Sequence, residues 1–152
     1  MKTRTLFVLA LAACATLIAQ AQQPKPEDQL KLRKAAYQLM NYSFGGLAAM
    51  ADGKRPYVKE EAIRFADLLA QVSTVPKGFF GEGTDKVGET RAKPEIWTHR
   101  ADFDAKMDKM VSEAAKMPQV ARSGDEGALK KAVKEIDDAC GACHDEYRVK
   151  RK

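Results

Sequence analysis

Apolar residues recur at steps of three and four in four separate runs of this chain, and no run alternates at period two. The first run spans Glu27–Met50, with Leu30, Arg33, Tyr37, Met40, Phe44 and Leu47 on one stripe. The acidic "PED" start suits a helix N-terminus, and Asp52-Gly53 suits its end. The second lies between Pro56 and Pro76 and carries Val58, Ala62, Phe65, Leu69 and Val72. The third runs from Thr98 to Met117, ending before Pro118, with Phe103, Met107, Met110, Ala114 and Met117. The fourth opens at a capping box, Ser123 to Glu126, and carries Leu129, Val133, Ile136, Cys140, Cys143 and Tyr147. An apolar stripe needs another to cover it. Four of them at near-3.5 spacing predict an all-α chain folded as an antiparallel four-helix bundle.

One connection is not short. Residues 76–97, "PKGFFGEGTDKVGETRAKPEIW", join the second and third helices. Phe79, Phe80, Ile96 and Trp97 are predicted to pack down at its two ends and leave the middle exposed. A loop of this length in a small domain is functional or mobile.

The chain divides at its start. Lys2 and Arg4, the apolar run "LFVLALAACATLIA" and the small-x-small site Ala19–Ala21 read as a secretory signal peptide over residues 1–21. The apolar run is short for a membrane span. Residues 22–152 then form one domain exported from the cytoplasm, with a bacterial periplasm as the expected location. "LAAC" (Leu11–Cys14) also resembles a lipidation box, but the residues after Cys14 stay apolar, whereas a lipidated terminus opens into a polar tether. Two of the 26 basic residues fall in the leader, so the mature chain keeps a small positive excess over its 21 acidic ones. The charges are interspersed, which argues against a nucleic-acid surface.

The chemistry is concentrated in "ACGACHDEY", where Cys140, Cys143 and His144 sit together. A zinc site needs four ligands, and here one helix would present three from consecutive turns with only His99 left over. A thioredoxin-type pair needs a βαβ setting, which is absent. Cys-x-x-Cys-His has a more specific meaning: two thiols that attach a c-type haem and a histidine that binds its iron. Both cysteines continue the core stripe of the fourth helix, so the haem c, one per chain and covalently attached, is expected in the core of the bundle. Asp137 and Asp138 read as a solvated helix face. His99 reads as a surface residue, and no nucleophile–base pair suggests an enzyme.

The other face of the iron falls to the first helix, because no methionine follows the motif. Arg33 interrupts an apolar row, and a buried charge needs a partner. It either meets a haem propionate or snorkels to solvent at the bundle's end. Tyr37, one turn on, is a poor iron ligand when neutral and would crowd that face, leaving the iron five-coordinate and open to a small gas. Met40 as sixth ligand would instead make a low-spin electron carrier, although core filler is the commoner role of a Met on a helical stripe.

Taken together, "KPEDQLKLRKAAYQLM", "FGEGT", "KPEIW" and the late "ACGACHDEYR" resemble the cytochrome c′ family, the class II c-type cytochromes, over nearly all the mature chain. The resemblance implies pentacoordinate, high-spin, redox-active haem iron that binds nitric oxide or carbon monoxide, and often a homodimer through the first two helices. By position it implies that Cys140 and Cys143 hold the haem and that His144 is the proximal ligand. It places Arg148 near that histidine on the same helix face, Arg33 near the propionates and Tyr37 at the variable distal position. Lys34 departs from the glutamine frequent at its place. Nitric oxide scavenging is the implied role, with a redox partner that no motif names. The competing readings are the Met40-ligated electron carrier and a haem-free helical metal-binding or stress protein.

Overall fold

In the computed structural model, residues 24–150 are described, and they fold as helices linked by turns and one long loop. The signal-peptide stretch 1–21 and Cys14 lie outside the described residues. The helices are α1 (Pro26–Ala51), α2 (Lys59–Val72), a single turn α3 (Glu95–Thr98), α4 (Arg100–Ser123) and α5 (Glu126–Tyr147), with a 3₁₀ turn over Pro76–Phe79. The four long helices close into a ring: α1 packs on α2 and α5, and α4 packs on the same two. The connections α1–α2 and α4–α5 are short, as antiparallel neighbours require, so the expected four-helix bundle is what forms. None of the described helices is long and apolar enough to cross a membrane.

The α4 stripe is buried as the periodicity predicts, with Phe103, Met107, Met110, Ala114 and Met117 all in the core. On α5, Leu129, Val133, Ile136 and Tyr147 are buried, while Cys140 and Cys143 are half-buried. Val58 is a correction: it is 41% exposed, because the chain after Pro56 stays extended until α2 starts at Lys59.

The buried row of α1 also differs from the expected stripe. It runs through Gln29, Arg33, Ala36, Met40, Ser43, Leu47 and Met50, whereas Tyr37 and Phe44 are half-buried at its edge. Leu30 is buried as expected. Small residues on this row let α2 approach. A Cβ on Gly46 would lie 2.5–2.7 Å from the Phe65 ring. Ser43 satisfies its own hydroxyl by donating to Leu39 O at 2.8 Å.

Two boundaries differ from expectation for connected reasons. α4 does not stop at Pro118 but runs through it to Ser123. Proline removes the donor that Ala114 O would otherwise receive. The turn is held instead by burial of Met117 and Ala121 and by Arg122, which donates to both oxygens of Asp67 on α2 at 2.9 Å. Because α4 takes Ser123 as its last residue, the expected capping box does not form. Gly124 ends α4 in the left-handed region at φ 75°, and Asp125 caps α5 by accepting from Ala128 N at 2.9 Å.

The two glycines of α1 give opposite expectations. Gly45 has no heavy atom near its would-be Cβ, so Gly45→Ala should stabilise the fold by roughly 0.5–1 kcal/mol through helix propensity. Gly46→Ala gains the same propensity but drives its methyl into the Phe65 ring. Overpacking of about 1–3 kcal/mol should leave it less stable than the parent in urea denaturation.

Candidate functional site

The helices surround a cavity of about 1000 Å³, at the upper end of the roughly 300–1,000 Å³ typical of small-molecule sites. Its walls come from every long helix and from the 80–92 loop. Met40 and Tyr37 face it from α1, Met107 and Met110 from α4, and Cys140, Cys143 and His144 from α5. The fold thus brings together seven of the residues singled out in the sequence: Arg33, Tyr37, Met40, Cys140, Cys143, His144 and Arg148.

Both thiols are free and half-buried. Burial, followed by the charge of Asp137, pushes the Cys140 thiol up to about 11, and burial also raises Cys143. Thiols held protonated are poor redox nucleophiles, which weighs against an exchanging dithiol. Among the described residues no group of three or more Cys, His, Asp or Glu is placed to hold a metal ion, and His99 stands exposed at the start of α4. Asp137 and Asp138 lie on the solvent face, where Lys134 pairs with Asp138 at 2.6 Å.

His144 is exposed on one side. Loss of water on the other, then the charges of Arg148 and Arg91, lower its pKa from the usual 6.5. The neutral imidazole, the form with a lone pair to offer iron, is therefore favoured at neutral pH. Arg148 differs from expectation in backbone but not in neighbourhood. α5 ends at Tyr147, so Arg148 is extended and not on the helix face, yet Nη1 sits 3.4 Å from both ring nitrogens of His144.

Arg33 does not snorkel: it is 3% exposed. Nη1 donates to Phe79 O at 3.1 Å and to Thr84 Oγ1 at 3.4 Å, and Nη2 donates to Thr90 Oγ1 at 3.3 Å. The guanidinium lies 4.2 Å from the centre of the Phe80 ring. All these partners are neutral, and no carboxylate pairs with Arg33 among the described residues, so a buried cation borders the cavity without a countercharge. The same bonds correct the expected loop. Its ends do pack, with Phe80 and Ile96 buried, but the middle is not free, since Thr84 is fully buried. Gln29 adds to this pin, accepting from Gly81 N at 3.2 Å. Sequence reasoning missed Gln29, Thr84 and Thr90, because their partners lie some fifty residues away and polar loop residues carry no periodic signal.

Tyr37 points its hydroxyl at Met107 Sδ, 3.9 Å away, and burial raises its pKa far above the usual 10, so the phenol stays protonated. On the α4–α5 side, Tyr147 is 2% exposed and donates to Asp102 Oδ2 at 2.6 Å. Lys106 reaches both Asp102 and Glu146. This network ties the end of α5, with its two thiols, to the start of α4.

These features suit a flat, largely apolar, anionic cofactor. The cavity has the size, the two thiols lie one turn apart on a single wall, a neutral imidazole is beside them, and the cation at the edge has no countercharge. Haem c matches that set.

The family described as Cytochrome C′ matches residues 28–148. Cytochrome c′ of Rubrivivax gelatinosus is 38% identical over 129 residues, 85% of this chain and 100% of that protein. Its crystal structure superposes with a TM-score of 0.80, covering 84% of this chain and 100% of that one. A nitric oxide complex of a mutant of cytochrome c prime from Alcaligenes xylosoxidans is 33% identical with a TM-score of 0.77, covering 86% of this chain and 100% of that one. A cytochrome c-554 from Cereibacter sphaeroides is 35% identical over 148 residues, 95% of this chain and 94% of that protein.

The Tyr147 and Lys106 donors hold the Asp102 carboxyl below its ordinary 3.8. A depressed carboxylate favours the folded state above about pH 4, and that contribution is lost as pH falls through the lower folded-state value. Asp102→Asn should therefore flatten the acid limb of stability below about pH 4, as followed by helical circular dichroism. The part due to Glu113, lowered by Lys109 and Lys116, should remain.

Proposed function

This chain belongs to the cytochrome c′ family, and on that premise we propose that it is an exported, periplasmic gas-binding protein. Its cofactor is one covalently attached haem c. In this reading Cys140 and Cys143 form the thioether links and His144 is the proximal iron ligand. Haem supplies a redox-active iron that takes a diatomic gas as ligand, left five-coordinate and high-spin here. The gas is nitric oxide or carbon monoxide, and scavenging of nitric oxide is the role. The protein binds and exchanges electrons with a redox partner rather than catalysing a reaction.

The observation that carries the reading is Tyr37. It stands in the cavity wall with its phenol protonated and its hydroxyl turned to Met107, so beside a bound haem it would act as a bulky wall rather than as an iron ligand. Arg33 would meet the propionates, whose charge it lacks in the protein. Arg148 would stand beside the proximal imidazole. The nitric oxide complex of the Alcaligenes protein supports the choice of ligand class.

Met40 supports a second reading. It is 7% exposed and borders the same cavity. As sixth ligand it would make a low-spin electron carrier. The ferrous absorption spectrum separates the two. The gas-binding reading expects broad high-spin bands that change on adding nitric oxide, with a mass one haem above the mature chain. Sharp, split bands at neutral pH that collapse in Met40→Ala would establish the carrier instead.

A homodimer through α1 and α2 is part of the proposal. Leu32 (43% exposed), Ala35, Leu39 (48%) and Tyr42 (65%) form a second apolar row on the outer side of α1, at steps of 3, 4 and 3. A second copy is the natural cover for such a stripe. Leu39→Glu should halve the sedimenting mass without altering the haem spectrum; a parent protein that sediments as a monomer at micromolar concentration would remove the dimer.

A further inference from the structure

Phe44 stands between two hollows. On its inner side is the central cavity; on its outer side a groove of about 670 Å³ runs between α1 and α5. Among the described residues, Phe44 is the one that borders both. The groove is floored by Ala48, Ala51, Gly127 and Val133, whose small side chains leave the seam unfilled, with lysines at its rim.

The ring of Phe44 is also the least restrained large aromatic on the cavity wall. Phe80, Phe103 and Tyr147 are each at most 4% exposed and locked edge-on or tilted against other rings. Tyr37 is tethered through its hydroxyl. Phe44 is half-buried and has no ring partner among the described residues. Partly exposed side chains change rotamer in picoseconds to nanoseconds. One swing of this ring would join the groove to the cavity.

We propose that the α1–α5 groove is the entry route for an uncharged diatomic gas, with the Phe44 ring as the partition the gas must pass. The proposal rests on the gas-binding reading above. An apolar diatomic needs no polar guides, and the seam beside Phe44 offers it a path that does not run past the charged residues at the cavity's edge. A partition on the route changes the rates of entry and exit by the same factor, because it lowers or raises one barrier shared by both directions.

Carbon monoxide rebinding to the ferrous holoprotein after flash photolysis tests this. Phe44→Leu should speed association about tenfold and Phe44→Trp slow it about tenfold, a barrier change of the size one side chain can make. Ala48→Trp narrows the groove without touching the cavity wall, and should slow association and dissociation together while leaving affinity unchanged. Crystals of the holoprotein pressurised with xenon should show the atom in the groove and beyond Phe44. If the parent binds carbon monoxide but the three variants rebind at its rate, or xenon stays out of the groove, the route is wrong and the gas-binding reading stands. If the ferrous parent takes no carbon monoxide, both fall.

Discussion

The cavity is the constraint on which the rest of this structure depends. Protein interiors pack to the density of organic crystals, and a hollow of about 1000 Å³ between four helices departs from that rule. A bulky, largely apolar group such as haem restores the missing contacts when it fills the space. The cavity's walls reflect this. Met40, Met107 and Met110 line them with flexible, polarisable side chains that mould to a flat group. Among the described residues Arg33 is the one buried cation, and no carboxylate pairs with it; it sits at the edge, where an anionic substituent can balance it.

α1 carries more of this design than any other helix, because three of its sides are in use. One side, with Tyr37 and Phe44, faces the cavity and its outer groove. Another, with Ala36, Ser43 and Gly46, is narrow enough for α2 to press the Phe65 ring against the backbone. The third is the exposed row of Leu32, Leu39 and Tyr42. Side-chain size sorts the three: large residues at the cavity edge, small ones in the seam, large ones again outside.

That sorting explains what the sequence could and could not reveal. The α4 row was legible because four of its five members, Phe103, Met107, Met110 and Met117, are large and apolar. The Cys-x-x-Cys-His motif was legible because its spacing has few other uses. On α1 a search for large apolar residues chose Tyr37 and Phe44, which lie at the edge, and passed over Gln29, Ala36, Ser43 and Gly46, which lie in the core. Helix–helix contact there is made by smallness, and smallness has no hydropathy signal. Local propensity makes Pro118 look like a helix end; tertiary burial of Met117 and Ala121 overrides that preference. The loop's buried threonine could not be foreseen, since Thr84 is placed by an arginine 51 residues away.

The bonds from Arg33 to the loop span 46, 51 and 57 residues. Their closure entropy must be met before they return anything, so they are expected to form late in folding, after the local α1–α2 and α4–α5 hairpins. The wall they hold is then the last part of the cavity to close. Until those bonds form, the loop side of the interior has no Arg33 to hold it in place. The residue proposed to meet the cofactor's charge is thus also the one that fastens the loop over the cavity.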